Sequence, residues 1–238
     1  YRGDESGMNL TIYIGWDSRD PIAYEVLRHS ILSRTPQPVS IIPLVQGELR
    51  RRGIYMRERG PTESTDFSLT RFLVPYLSDY EGVSIFMDSD MLCLADITSV
   101  LSDVAAGSAV SVCQHDYKPK TTSKFLGQTK TVYRKKNWSS FMVFNNRRCL
   151  ALTPEYINTV RALELHQFNK FEDSQIGALP LEWNWLVGEY PDNLKAKILH
   201  YTLGGPWFDE YSECERAGDW FREYGQTIGD EHGTRNAS

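Results

Sequence analysis

A near-continuous apolar run, Val83–Met87, ends directly in two carboxylates one residue apart, Asp88-Ser89-Asp90. A half-exposed strand would alternate polar and apolar residues. This run does not, so it reads as a strand covered on both faces. Similar strand-sized runs recur at Leu10–Ile14, Val39–Leu44, Ala109–Cys113, Ser140–Phe144 and Ile198–Tyr201. Between them lie segments with apolar residues at helical spacing: Ile22–Leu32 opened by Pro21, Ser68–Leu77, Ile97–Val104, Pro154–Leu165 behind Thr153 as a cap, and Phe171–Leu179. Strands alternating with helices predict an α/β fold, a mostly parallel central sheet flanked by helices. Ligands of such sheets bind beyond the carboxyl ends of the strands, so the loops after the strands are where chemistry is expected.

The chain has 238 residues, a length suited to one domain with a small appendage. The expected division is a loose N-terminal end over 1–9, a main domain over 10–208 and a polar C-terminal extension over 209–238. Two further polar segments, 46–66 and the basic stretch 116–137, read as loops that could close over a ligand. Lys+Arg is 26 against Asp+Glu 31, a formal charge of -5, which argues against a nucleic-acid partner because phosphate neutralisation needs a cationic face. No apolar run approaches the roughly 18 residues of a membrane helix, and no hydrophobic leader opens the chain as given. Cys93, Cys113, Cys149 and Cys214 match no zinc or redox spacing, so they read as buried hydrophobes. A cytoplasmic setting is the expectation. Asn137-Trp138-Ser139 fits a glycosylation sequon, which matters only in a secretory compartment.

In an extended chain, residues i and i+2 point the same way, so Asp88 and Asp90 can converge at the end of their strand. Two carboxylates brought together repel unless a cation joins them. Oxygen donors favour Mg²⁺ or Mn²⁺. The plainer reading is a turn or helix cap, since Asp is common in both. Arg71 sits within an apolar helical segment, where a buried guanidinium requires an anion: a ligand phosphate, or Asp88 itself.

Four segments in order, Ile12-Tyr13-Ile14-Gly15-Trp16-Asp17, Thr70-Arg71-Phe72, Asp88-Ser89-Asp90 and His200-Tyr201-Thr202-Leu203-Gly204-Gly205-Pro206-Trp207, resemble the nucleotide-sugar glycosyltransferases of the GT-A fold, family eight in particular, over about residues 10–208. The resemblance implies a metal held by Asp88, Asp90 and His200, with Mn²⁺ or Mg²⁺ as the ion. It implies a nucleotide-sugar donor, UDP-sugar foremost, with Asp17 against the nucleobase and Trp16 or Tyr13 stacked on it. Arg71, Ser89 and the backbone of Gly204 and Gly205 would meet the donor. Asp173, at the place of a family Asp-Gln-Asp, would line the sugar and acceptor, and Trp183, Trp185 and Trp207 are acceptor-side candidates beside Asn184. Asp17 can equally cap the helix after Pro21, Asp173 can be an ordinary acidic helix turn, and each Trp can be core.

The chain departs from the family at Gly205, where a Lys normally precedes Pro-Trp. Another cation must then serve the diphosphate: Arg71, Lys195, Lys197 or a residue of 118–136. The expected reaction is sugar transfer to an acceptor hydroxyl, with retention as the resemblance implies. The acceptor class stays open among glycan, glycolipid, protein and small molecule. A sugar-nucleotide pyrophosphorylase, a non-catalytic nucleotide-sugar or glycan-binding module and a structural protein are the alternatives. The first of these needs a Gly-rich phosphate loop that Gly15-Trp16-Asp17-Ser18-Arg19 does not supply.

Overall fold

The structure, a computed structural model, describes residues 10–60, 63–117 and 135–235. The expected loose end over 1–9 and most of the basic loop, from 118 to 134, lie outside the described residues.

The strands are β1 (Leu10–Gly15), β2 (Val39–Leu44), β3 (Val83–Met87), β4 (Met91–Cys93), β5 (Val110–Cys113), β6 (Phe141–Asn145), β7 (Ile176–Leu179), β8 (Trp185–Leu186) and β9 (Ile198–His200). The α-helices are α1 (Pro21–Leu32), α2 (Gln46–Arg51), α3 (Val74–Leu77), α4 (Pro154–Thr159), α5 (Ala162–His166) and α6 (Ala217–Arg235). Six strands form the central sheet in the order β2-β1-β3-β6-β5-β7, and β4-β9-β8 form a smaller one. Pairing is parallel for β1 with β2, β1 with β3 and β5 with β7; β6 runs antiparallel to both neighbours. The α/β reading with a mostly parallel sheet therefore holds, with one reversed strand in the middle.

The near-continuous apolar runs are explained by two cores, one on each face. Alternate residues divide between them: Tyr13, Phe86, Met142 and Phe144 enter one, while Ile12, Ile14, Ile85, Met87, Phe141 and Val143 enter the other. At about 1.5–3 kcal/mol for each large side chain removed from water, these two layers dominate the folding free energy. A third cluster, with Val26, Leu92, Leu199, Tyr201 and Trp220, ties α1 and α6 to the small sheet.

Register places the site. Ile14 pairs with Met87 across the parallel β1–β3 ladder, so Asp17 and Asp88 emerge at the same edge. Because β6 is reversed, Phe141 pairs with Met87, and the residues before it, 137–140, reach that edge too. The Asp88 amide donates to the Ser140 carbonyl at 2.9 Å. In the small sheet Met91 pairs with His200, and the Tyr201 amide donates to the Asp90 carbonyl at 2.8 Å. A residue 110 positions downstream of Asp90 is thereby set beside it.

Several helical expectations are corrected. Phe171–Leu179 is not a helix: a 3-10 turn at Asp173–Gln175 leads into β7, which pairs in parallel with β5. A Cβ on Gly177 would stand 2.6 Å from Ser111 Oγ, so this glycine admits the close strand approach. Pro154–Leu165 is two short helices, because Val160 and Arg161 are extended between α4 and α5. Ile97–Asp103 and Thr70–Leu73 are 3-10 turns. The segment 46–66 opens on α2. The last segment contains a long helix, α6, whose Ala217, Trp220, Glu223 and Thr227 are buried along one face.

Candidate active site

Beyond the carboxyl ends of β1 and β3 lies a solvent-open cleft of about 570 Å³. Asp17, Arg71, Asp88, Ser89, Asp90, His200, Gly204, Gly205 and Trp207 all line it. Of the residues singled out for donor, metal or catalytic roles, Tyr13, Trp16, Asp173, Lys195 and Lys197 are not among its lining.

One ligand atom from each of Asp88, Asp90 and His200 lies within 4.8 Å of the others. The Asp88 and Asp90 side chains are 15% and 24% exposed and His200 only 2%, so the cluster opens on its carboxylate side. His200 Nε2 stands 3.2 Å from Asp90 Oδ1. Its Nδ1 lies 2.8 Å from Asn184 Oδ1, and Asn184 Nδ2 donates to Ser140 Oγ at 2.8 Å. With Asn184 accepting, Nδ1 carries a ring proton. Nε2 faces Asp90 Oδ1 with Asp88 beside it, and two like-charged carboxylates this close are favoured by a cation among the three groups. Two hard oxygens and one imidazole nitrogen suit Mn²⁺ or Mg²⁺, so the residues present fit the expected ion.

Arg71 is buried, and of the two anions proposed for it the structure provides Asp88. Its Nη1 is 2.9 Å from Asp88 Oδ1 and donates to the Ser139 carbonyl at 2.8 Å, while Nε donates to the Phe67 carbonyl at 3.2 Å. The guanidinium also lies 4.9 Å from the centroid of the Phe86 ring. Among the described residues, Arg71 and Arg19 are the cationic side chains on the cleft wall. Lys197 lies instead over the Trp183 ring, 3.7 Å from Asp103.

Asp17 is 2% exposed and fully engaged. Arg19 donates to it through Nε (2.8 Å), Nη2 (2.6 Å) and its backbone N–H (3.1 Å), and the Asp66 N–H adds a fourth bond at 3.1 Å. Burial alone would raise the Asp17 carboxyl, but the bonds from Arg19 and Asp66 outweigh it and hold it below the usual range. The helix-cap reading is not met: the residue capping α1 is Asp20, and its side chain makes no capping bond. Burial, then the negative charges of Asp17 and Asp90, push the Asp20 carboxyl up to about 7.

Gly204 and Gly205 line the cleft, and their lack of a side chain has a local cause. Gly204 has φ +152°, and a Cβ there would meet the Tyr211 ring at 2.5 Å; one on Gly205 would meet the Trp207 ring at 1.9 Å. Trp16 is half-buried against the second core, and Tyr13 is core, its hydroxyl donating to the Leu77 carbonyl at 3.1 Å. Asp173 is 92% exposed and paired with Lys135 at 3.1 Å. Trp183 is fully buried, parallel to Phe141, its indole donating to Asp103 at 2.8 Å. Trp185 donates to the Pro191 carbonyl at 3.0 Å.

Sequence reasoning missed Arg19, Asp20 and Asn137 as cleft residues. Arg19 and Asp20 follow β1, so the strand-end rule could have found them. Asn137 carries φ +61°, and its amide donates to the Tyr117 hydroxyl at 2.8 Å, which engages the sequon side chain.

No family model matches the chain. Solved structures similar to it include the apo WbbM bifunctional glycosyltransferase (TM-score 0.64, 16% identity, 93% of this chain against 50% of that one). The apo glycosyltransferase GlyE of Streptococcus pneumoniae TIGR4 is similar at TM-score 0.59 and 14% identity, over 96% of this chain and 64% of that one. The galactosyltransferase LgtC, solved with donor and acceptor sugar analogues, is similar at TM-score 0.51 and 10% identity, over 91% and 95%. The chain thus spans half of WbbM and just under two thirds of GlyE. In sequence, it is 45% identical over 228 residues to Protein CDI of Arabidopsis thaliana, covering 93% of this chain and 88% of that protein. The chain therefore belongs to the family of Protein CDI, on a GT-A glycosyltransferase fold resembling family eight.

Proposed function

We propose that the protein is a metal-dependent glycosyltransferase that moves a sugar from a nucleoside-diphosphate donor, UDP-sugar foremost, to an acceptor hydroxyl, with retention at the anomeric carbon. The observation that carries this reading is the convergence of Asp88, Asp90 and His200, one ligand atom of each lying within 4.8 Å of the others, at the wall of the cleft. The fold shared with LgtC, whose structure holds donor and acceptor sugar analogues, supports the substrate class. Retention rests on the family resemblance.

In this reading residues 10–208 form the catalytic unit, and Asp88, Asp90 and His200 hold Mn²⁺ or Mg²⁺. The ion, when bound, supplies Lewis-acid neutralisation of the charge that grows on a diphosphate leaving group. Arg71 orients Asp88 and adds fixed positive charge to the wall, the role that the Lys replaced by Gly205 would otherwise share. Ser89 and the backbone at Gly204 and Gly205 meet the donor phosphates. Asp17, already held by Arg19, offers a preorganised polar edge to the nucleobase. Trp207 lines the cleft as the aromatic candidate for sugar contact. Asp173 reaches the acceptor side only if the segment around Lys135 turns it inward. Among the described residues no helix is long and apolar enough to cross a membrane.

The test is a panel of UDP- and GDP-sugars with Mn²⁺, without acceptor, followed by release of free nucleoside diphosphate. Slow release of UDP that EDTA abolishes, and that Asp90→Ala loses, is the expected result. Pyrophosphate release from a nucleoside triphosphate and a sugar phosphate would identify a pyrophosphorylase instead. Donor binding without turnover would identify a binding module.

A further inference from the structure

Behind the carboxylates runs a buried file of polar groups with a single consistent direction. Ser140 Oγ donates to the Asn137 carbonyl at 2.7 Å, so its lone pairs face the Asn184 amide, which donates to it at 2.8 Å. That fixes which end of Asn184 is which: the NH₂ points to Ser140 and the carbonyl to His200 Nδ1, 2.8 Å away. Asn184 is fully buried and Ser140 and His200 nearly so, so water does not compete for these bonds. The reverse amide orientation would leave the Ser140 hydroxyl with two competing acceptors, the Asn137 carbonyl and the Asn184 oxygen.

We infer that Asn184, oriented by Ser140, is a positioning residue that keeps the ring proton of His200 on Nδ1 and so leaves the Nε2 lone pair free toward Asp88 and Asp90. The inference rests on the metal reading given under Proposed function, but it concerns this chain's own protons and is readable without metal. If the Asn184 carbonyl is removed, Nδ1–H loses its acceptor. The proton is then better placed on Nε2, where Asp90 Oδ1 accepts it at the distance already present, 3.2 Å. That tautomer closes the site: the nitrogen meant for the ion is capped, and one carboxylate oxygen is engaged.

Two readouts separate this role from a merely structural one. In ¹⁵N-histidine-labelled, metal-free protein at pH 8, the ring-nitrogen shifts of His200 report its tautomer. Wild type is expected as Nδ1–H, Asn184→Leu shifted toward Nε2–H, and Asn184→Asp, which keeps an acceptor oxygen, returned to Nδ1–H. Mn²⁺ affinity, followed by electron paramagnetic resonance of the free ion, is expected to fall roughly 10–100-fold in Asn184→Leu, the range known for lost outer-shell partners of a metal-bound His. Asn184→Asp is expected to recover most of it. Ser140→Ala, one step further out, covers the case in which Asn184→Leu fails to fold, and it is expected to give a mixture of tautomers. A wild-type His200 protonated on Nε2, or an Asn184→Leu protein that keeps the Nδ1–H signature, overturns the inference. A wild type with the Nδ1–H signature that binds no Mn²⁺ would overturn the metal reading and leave the tautomer assignment standing.

Discussion

Arg71 Nη1 lies 2.9 Å from Asp88 Oδ1, both side chains largely out of water, at the point where β3 delivers its carboxylate to the cleft. The same guanidinium spans the carbonyls of Phe67 and Ser139 and so joins the 3-10 turn at Thr70–Leu73 to the residues entering β6. Arg71→Ala leaves Asp88 facing Asp90 without its counter-charge, and breaking one partner of a buried pair costs about 3–5 kcal/mol. Urea unfolding should register a loss of that order, together with loss of nucleotide release. Arg71→Lys keeps the charge but not the fork that reaches three oxygens, so it should recover part of the stability and little of the turnover. An Arg71→Ala protein as stable as wild type would show that Asp88 has another counter-charge.

Asp90 yields effects of opposite sign on stability and on function. In metal-free protein, Asp90→Asn removes a charge that faces Asp88 and Asp20 and gives His200 Nε2 a possible N–H donor. Its metal-free Tm should therefore equal or exceed that of wild type. Wild type should be stabilised by Mn²⁺, by about 2.7 kcal/mol when the ion is at a hundred times its Kd, and so gain Tm, and Asp90→Asn should not. Differential scanning fluorimetry with and without Mn²⁺ reads both. Equal Mn²⁺ shifts in the two proteins would remove Asp90 from the ligand set.

The parts of the fold legible in sequence are those whose cause is local. Residues 83–87 announce a strand because burial on both faces leaves no room for alternation, and Asp88 and Asp90 announce convergence because the two-residue period carries past the strand's end. β7 is illegible for the opposite reason: Ile176-Gly177-Ala178-Leu179 has no strong preference, and its pairing with β5, through the space that Gly177 leaves beside Ser111, decides its conformation. α6 hides its inward stripe because one of the four buried positions is a glutamate that its partners His29 and Arg34 make burial-compatible. His200 came from resemblance, and its physical reason, the β4–β9 register, is non-local. Arg19 is reachable from its place after β1, but its bonds to Asp17, like those of Asn184 to Ser140 and His200, are set by the fold. Asp173 fits a family position in sequence but stands in solvent outside the cleft lining.

Acid should weaken the fold through two depressed imidazoles, His166 and His115, whose effect exceeds the opposing one of Asp20, the carboxyl that is protonated first in the native protein. His166 is half-buried, with Nδ1 2.9 Å from Ser139 Oγ and its ring edge-on to Phe72. Burial, then the positive charge of Arg71, drives its imidazolium down to about 3 from an ordinary 6.5. Between those values the unfolded chain takes a proton that the native protein refuses, so stability is complete above about pH 6.5 and declines as pH falls toward 3. The urea midpoint should therefore drop between pH 7 and pH 5. His166→Gln, which can still hydrogen-bond Ser139, should flatten that slope even if it lowers the midpoint overall. An unchanged slope would assign the acid sensitivity to other groups, of which His115, also buried and also held down at about 3, is the next to test.

Glu223 anchors the C-terminal helix to α1 and the turn after it. Its carboxylate is 2% exposed and receives Arg34 Nη2 at 2.7 Å, with His29 Nδ1 at 2.6 Å, both from α1 or the turn just after it. Burial alone would raise this carboxyl, but the bonds from Arg34 and His29 outweigh it and hold it below its ordinary 4.5. The anchor is thus fully present above that value and is lost only as pH falls through the depressed one. Glu223→Gln keeps the shape and removes the charge, forfeiting charge-assisted bonds worth about 1.5–3 kcal/mol in total. Because Trp220, one turn earlier, still packs in the cluster of Leu92, Leu199 and Tyr201, the loss should appear first as local opening. Hydrogen exchange at pH 7 should speed up across α6 and the facing turn of α1, while the amides of β1 and β3 keep wild-type protection. Since the same cluster supports β9, and β9 carries His200, Mn²⁺ affinity should weaken only where the exchange of β9 also rises. Faster exchange in α6 with β9 and Mn²⁺ affinity untouched would make α6 a bystander to the site, and uniform acceleration of all strands would make it part of the global fold.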